Sequence, residues 1–113
     1  MPTKDEREPF YRITVDEAKG MMAGEDSVVI DVRNPEEFSS GHLPGATLIP
    51  VNSVFQRREE LPTDKKIIFV CSVGQRSALA AEMAAAGGLE PDRLYNLDGG
   101  TDAWRRAGED VES

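Results

Sequence analysis

Ile67-Ile68-Phe69-Val70-Cys71-Ser72-Val73-Gly74-Gln75-Arg76-Ser77-Ala78-Leu79-Ala80-Ala81-Glu82-Met83-Ala84-Ala85-Ala86 passes from an apolar run, through a short loop, into an alanine-rich segment. Residues 67–70 are β-branched or aromatic without interruption, which predicts a buried strand. Ser77 to Ala86 predicts a helix. Between the two sits Cys71, the only cysteine of the chain. A cysteine at such a junction lies where unpaired N–H groups and the positive end of the helix dipole converge. Those surroundings favour thiolate over thiol and cradle an anion. Arg76 adds a fixed positive charge to the same loop, in a fork that suits a bidentate anion.

Upstream, Thr14-Val15-Asp16-Glu17 fits a capping box that opens a helix through about Met22. Val28-Val29-Ile30-Asp31-Val32 reads as a central parallel strand with one acid near its end. Pro35-Glu36-Glu37-Phe38 predicts one helical turn, with Pro at N1 and acids in the positive first turn. Gly41 to Gly45 is loop, and Thr47-Leu48-Ile49 is a short strand stopped by Pro50. Ser53-Val54-Phe55-Gln56 again matches a capping box and predicts a helix ending before Pro62. Downstream, Gly87-Gly88 closes the long helix, and Leu94-Tyr95-Asn96-Leu97 forms another strand. Asp98-Gly99-Gly100 turns into a last helix that shares Ala103, Trp104 and Ala107 on one face and is capped by Gly108. Strands alternating with helices imply an α/β fold, a parallel sheet covered on both faces and joined by right-handed crossovers. Ligands of such sheets bind at the carboxyl ends of the strands. Cys71 falls at one of those ends, and Asp31 and Arg33 are expected on the same rim.

With 113 residues the chain makes one domain with a real core. It is taken as residues 10–113 behind a frayed tail of residues 1–9. The composition, 39% hydrophobic and 30% charged, is that of a soluble globular protein. No apolar run reaches the length of a membrane span, and the N-terminus lacks the apolar core of a secretory signal. One cysteine excludes an internal disulfide and suits a reducing compartment, so the cytoplasm is expected. A net charge of −8 argues against nucleic acid as a partner. It also makes any anion chemistry depend on local donors and not on long-range steering. One Cys and one His do not make a metal site, and no cofactor is expected.

Four segments together resemble the single-domain rhodaneses, a family of sulfurtransferases: Ile30-Asp31-Val32-Arg33, Gly41-His42-Leu43-Pro44-Gly45-Ala46, Cys71 to Ser77, and Leu97-Asp98-Gly99-Gly100 with Trp104. They stand in that family's order and spacing and span nearly the whole chain. The resemblance implies a single rhodanese-like domain with a central five-stranded parallel sheet and helices on both faces. It also implies that Cys71 accepts a sulfane sulfur as a persulfide. The donor would be thiosulfate or another persulfide, and the acceptor cyanide, a small thiol or a protein. The residues agree with that chemistry. A thiolate that attacks the outer sulfur of thiosulfate expels sulfite, which needs no proton, so no histidine base is required. With no second cysteine, the persulfide cannot be resolved internally and must go to an outside nucleophile.

Ser72, Val73, Gly74, Gln75, Arg76 and Ser77 are expected to form the substrate- and anion-binding loop, with Ser72, Val73 and Gln75 acting mainly through backbone N–H groups and Arg76 as the anion binder. The bland readings are a buried inert thiol for Cys71, and a surface cation or a partner of Asp31 for Arg76. Asp31 and Arg33 are expected to brace the surrounding loops. His42 is read as hydrogen-bonding its own turn, Arg57 and Arg58 as a solvated helix face, and Trp104 as core. Two other functions compete. One is a non-catalytic persulfide or redox sensor, or an interaction module. The other is a cysteine-dependent phosphatase or arsenate reductase, whose loops place five residues between Cys and Arg. Here there are four, Ser72 to Gln75.

Overall fold

The computed structural model describes all 113 residues. Five strands form one parallel sheet: β1 (Tyr11–Ile13), β2 (Ser27–Asp31), β3 (Thr47–Leu48), β4 (Lys66–Val70) and β5 (Leu94–Leu97). Their spatial order is β1-β5-β4-β2-β3, with every neighbouring pair parallel. Four helices cover it: α1 (Val15–Met22), α2 (Pro35–Ser39), α3 (Gln75–Ala86) and α4 (Gly100–Arg106). No helix is long and apolar enough to cross a membrane.

Strand parity divides the apolar side chains into two cores. Ile30, Ile67, Phe69 and Leu94 point to one face and meet Ala80, Ala81 and Ala84 of α3. Val29, Ile68, Val70, Tyr95 and Leu97 point to the other and meet Ala18 of α1 and Trp104 of α4. The small alanines let α3 lie close to the sheet. The chain leaves β2 toward one edge and β4 toward the other, so the strand order reverses between these two neighbours. That reversal puts a crevice at their carboxyl ends, where Cys71 follows β4 and Arg33 follows β2.

Most elements fall where the sequence predicts them. The Thr14 and Glu17 capping box is present, and Asn34 and Glu37 form a second one at the head of α2. The expected helix from Ser53 is a correction. The segment winds instead as two 3-10 turns, Val51–Ser53 and Arg58–Glu60, with Ser53 ending the first and not capping a helix. Phe55 O is taken by Arg58, through its own N–H at 3.4 Å and its Nη1 at 2.7 Å. A continuing α-helix would give that carbonyl to Glu59. β1 is the strand the local pattern did not single out. Three residues long and at the sheet edge, it carries only Ile13 as a buried side chain. Residues 1–9 lie beside it, with Thr3 and Arg12 exchanging backbone hydrogen bonds of 2.9 and 2.7 Å. Both cores begin only at Phe10 or beyond.

Candidate functional site

Cys71 has the parity of Ile67 and Phe69, so its side chain turns toward α3, and it is 1% exposed. Its Sγ accepts the backbone N–H of Gly74 at 3.1 Å and lies 3.3 Å from the Ser77 hydroxyl. Gly74 is the N-cap of α3 in the left-handed region, φ 103°, a conformation that glycine adopts without strain. There the loop turns tightly enough for a residue three positions on to donate to the sulfur. Burial is the largest single influence on the thiol and pushes its pKa up. Against burial act the Ser77 hydroxyl, when its hydrogen points at the sulfur, and the N–H groups of Ser77, Gly74 and Val73; with all of them the thiol stands below its ordinary value.

The back of the loop is held by α4. Thr101 N donates to Cys71 O at 2.8 Å, Thr101 Oγ1 to the same oxygen at 3.2 Å, and Asp102 N to Ser72 O at 3.0 Å. With its carbonyls turned to α4, the loop is free to present N–H groups to the sulfur. This needs close approach, and Gly100 provides it: a Cβ there would overlap the carbonyls of Cys71 and Ser72.

Arg76 and Ser72 both reach Glu37 of α2. The guanidinium makes a bidentate pair with it, at 2.8 and 3.0 Å, and the Ser72 hydroxyl donates to Oε2 at 3.0 Å. Arg76 Nη2 also donates to Ser72 Oγ at 3.1 Å. The Arg76 hydrogen bonds are the main reason that the Glu37 carboxyl falls to about 2. Arg76 therefore pairs with Glu37 and not with Asp31. Sequence reasoning read Glu37 only as a first-turn acid.

Asp31 and Arg33 form a buried ion pair of their own, 0% and 5% exposed, with Nη2 to Oδ2 at 2.8 Å. Arg33 Nη2 also donates to Gly41 O at 2.7 Å, which ties the end of β2 to the Gly41–Ala46 loop. The pair borders Cys71 through the β2–β4 register, Asp31 opposite Val70, while its hydrogen bonds go to the neighbouring loop. In that loop the His42 ring stacks on Phe38 at 3.7 Å and its Nδ1 donates to Phe38 O at 2.8 Å. Arg57 pairs with Glu60 at 2.8 Å, and Arg58 lies over the Phe55 ring at 4.4 Å. Trp104 is buried and donates Nε1 to Asp110 O at 2.8 Å. Of the loop's remaining side chains, Val73 is 55% exposed and Gln75 is also exposed. The loop thus faces solvent with one apolar and one polar group above a buried sulfur.

One further residue escaped sequence reasoning. Asn96 is fully buried in β5 and accepts the Ser77 hydroxyl, and its Nδ2 donates to Asp98 Oδ1 at 3.2 Å. The available signal was parity: Asn96 shares the face of Leu94, toward α3, where an apolar side chain would otherwise sit.

The rhodanese-like domain family matches residues 14–107. The chain belongs to that family. It is 33% identical over 98 residues to thiosulfate sulfurtransferase GlpE of Pseudoalteromonas translucida, covering 87% of this chain and 91% of that protein. It is 41% identical over 76 residues to the uncharacterized protein YqhL of Bacillus subtilis, covering 67% of this chain but only 59% of the relative. Among solved structures, a Rhodopseudomonas palustris protein described as of unknown function and a possible tyrosine phosphatase superposes with a TM-score of 0.80. It shares 30% identity and 99% coverage of both chains. This rhodanese-like domain therefore has named sulfurtransferases among its relatives, and its sheet is the five-stranded parallel sheet the resemblance implied.

Proposed function

We propose that this rhodanese-like domain transfers a sulfane sulfur through a persulfide on Cys71. The observation that carries the reading is the Cys71 sulfur itself. It is the chain's one thiol, seated at the head of α3, and it receives the Gly74 N–H in a loop whose carbonyls are drawn off by α4. The Cys71 thiolate attacks the outer sulfur of thiosulfate. A new S–S bond forms, the bond to the sulfonate breaks, and sulfite leaves with its electron pair. The terminal persulfide sulfur, negatively charged, is stabilised by the converging N–H groups. An outside nucleophile then takes that sulfur and returns Cys71 to thiolate. With cyanide the product is thiocyanate, and with a thiol, small or on a protein, it is a new persulfide. Similarity to a thiosulfate sulfurtransferase supports thiosulfate as donor, and a glutathione or protein persulfide presents the same attackable sulfur. A free thiol that must stay reduced between turnovers suits the cytoplasm.

Intact-mass spectrometry of the protein and of Cys71→Ser after brief exposure to thiosulfate tests the reading. The expected result is gain of one sulfur by the wild type alone, discharged by cyanide. An adduct that forms but is not discharged points to a sensor module. No adduct with thiosulfate or any persulfide donor removes the transferase reading.

A further inference from the structure

Behind Cys71, on the side away from solvent, a chain of hydrogen bonds runs out to the opposite edge of the site. The Ser77 hydroxyl contacts both Cys71 Sγ, at 3.3 Å, and Asn96 Oδ1, in a very short contact. Asn96 Nδ2 donates to Asp98 Oδ1 at 3.2 Å, and the same oxygen accepts Arg12 Nη1 at 2.9 Å. Arg12 is anchored in turn by Glu8. Ser77 and Asn96 are fully buried, so no water competes for the bond between them, while Asp98 and Arg12 at the outer end are partly exposed.

Counting hydrogens along this chain decides its direction. An ionised Asp98 only accepts, so it selects the amide nitrogen of Asn96 and turns Oδ1 toward Ser77. An amide oxygen also only accepts, and Ser77 has one hydroxyl hydrogen. Ser77 then gives it to Asn96, and Oγ is left to accept from Cys71 S–H. The alternative, Ser77 donating to a thiolate, would leave Oγ facing Oδ1 with no hydrogen between them. We propose that Asp98, acting through Asn96, positions the Ser77 hydroxyl hydrogen away from Cys71 and so biases the resting sulfur toward the thiol. Ser77 is a two-position donor, and Asn96 and Asp98 are the positioning residues that set which position it occupies.

Other charges stand on the elements around the Cys71 loop and must be separated from this effect. They are Arg76 on α3 with Glu37 on α2, the Asp31–Arg33 pair after β2, and Asp102 on α4, whose N–H holds Ser72 O. None of them hydrogen-bonds Ser77 or Asn96. Asp98 itself also acts through space, and its removal would favour thiolate by charge alone. A double-mutant cycle distinguishes the routes, because the relay needs the Ser77 hydroxyl and a through-space charge does not.

The inference rests on Cys71 being the reacting sulfur, and its test reads that sulfur without any donor. A failure of sulfur transfer and a failure of the relay therefore show up separately. The ultraviolet absorbance of the thiolate is titrated in each variant and referred to the same variant carrying Cys71→Ser, which removes the tyrosine background. Asp98→Ala frees the Asn96 amide to turn its NH2 toward Ser77. The midpoint of thiolate formation is expected to fall by about one pH unit, the scale of one hydrogen bond to a charged group. With Ser77→Ala already present, the same substitution should leave the midpoint within a few tenths of a pH unit. Asp98 is half-exposed and its removal should not unfold the chain; thermal unfolding checks this for both variants. An equal fall in both backgrounds would assign the effect to bare charge and overturn the relay. No fall in either would overturn it as well.

Discussion

Glu37 and Arg76, thirty-nine residues apart, meet in a two-pronged ion pair across the mouth of the Cys71 loop, with Ser72 as a third member. The guanidinium that would bind an anionic donor is thus already partnered by a carboxylate. Both side chains remain partly exposed, 38% and 30%, so the pair is only modestly stable against water and salt. A thiosulfate dianion must share Arg76 with Glu37 or displace it. Glu37→Gln keeps the shape and the N3 position of α2 while removing the competing charge. The KM for thiosulfate is expected to fall about twofold to fivefold with kcat little changed, the signature of altered ground-state binding. A KM that stays the same or rises would show that the donor does not engage Arg76.

The same pair makes a share of stability depend on acid. The Glu37 carboxyl stands at about 2 against an ordinary 4.5. A folded-state value below the unfolded one contributes stability that is complete above the unfolded value. It fades as pH falls toward the folded value. The difference in Tm between wild type and Glu37→Gln should therefore be constant near neutrality. It should shrink between about 4.5 and about 2, and be smaller throughout in high salt. A difference that persists unchanged to pH 2 would mean that the contact is not an ion pair in solution.

Gly100 stands at φ 58° with the Cys71 and Ser72 carbonyls where a Cβ would sit. Gly100→Ala adds a methyl where two carbonyls already sit, in a conformation that L-residues avoid. A loss of about 2–4 kcal/mol in urea unfolding is expected, from strain and overpacking combined. Persulfide formation should fall with it, because the clamp that turns the loop carbonyls away from the sulfur is displaced. Stability within 0.5 kcal/mol of wild type would contradict so close an approach.

These sites differ in how far the sequence disclosed them. The strand into Cys71, the helix after Ser77 and the two-faced sheet were legible because apolar runs and capping signals are local. β1 was not, because a three-residue edge strand with one buried side chain carries no period to read. The Ser53 segment misled because a capping box specifies a helix start and says nothing about whether propagation will succeed. The pairing of Arg76 with Glu37, of Ser77 with Asn96 and of Thr101 with Cys71 O all depend on which strand ends become neighbours. That follows from the β1-β5-β4-β2-β3 order, which no single stretch encodes. His42 was legible for the opposite reason, since its ring bonds only four residues back, to Phe38.

Asp31 and Arg33 show the cost of a buried charge. Arg33→Met leaves the Asp31 carboxylate in a site with 0% exposure and without its cation, and also strips a donor from Gly41 O. Breaking one half of a buried pair costs about 3–5 kcal/mol. The double replacement Asp31→Leu with Arg33→Met removes the orphaned charge and should be less destabilised than Arg33→Met alone. Chemical denaturation of the wild type, Asp31→Leu, Arg33→Met and the double variant checks the order. A double variant that is the sum of its parts would show that the two side chains act independently.

The loop length bears on the phosphatase alternative, since a solved neighbour at 30% identity is described as a possible tyrosine phosphatase. Four residues separate Cys71 from Arg76, one fewer than in cysteine-dependent phosphatase loops. A missing residue removes up to about 3.5 Å of chain and one N–H group. The shorter loop brings the Gly74 N–H to 3.1 Å from Sγ itself. A phosphoryl group brings three oxygens that need donors around the sulfur and a guanidinium among them. Arg76 is instead drawn to Glu37 and Ser72. Expulsion of an aryloxide is also assisted by a general acid, whereas expulsion of sulfite needs none. Asp31, the acid on the neighbouring strand end, is committed to Arg33. Hydrolysis of an aryl phosphate should therefore be indistinguishable from that of Cys71→Ser. Turnover present in the wild type and lost in Cys71→Ser would reverse this assignment.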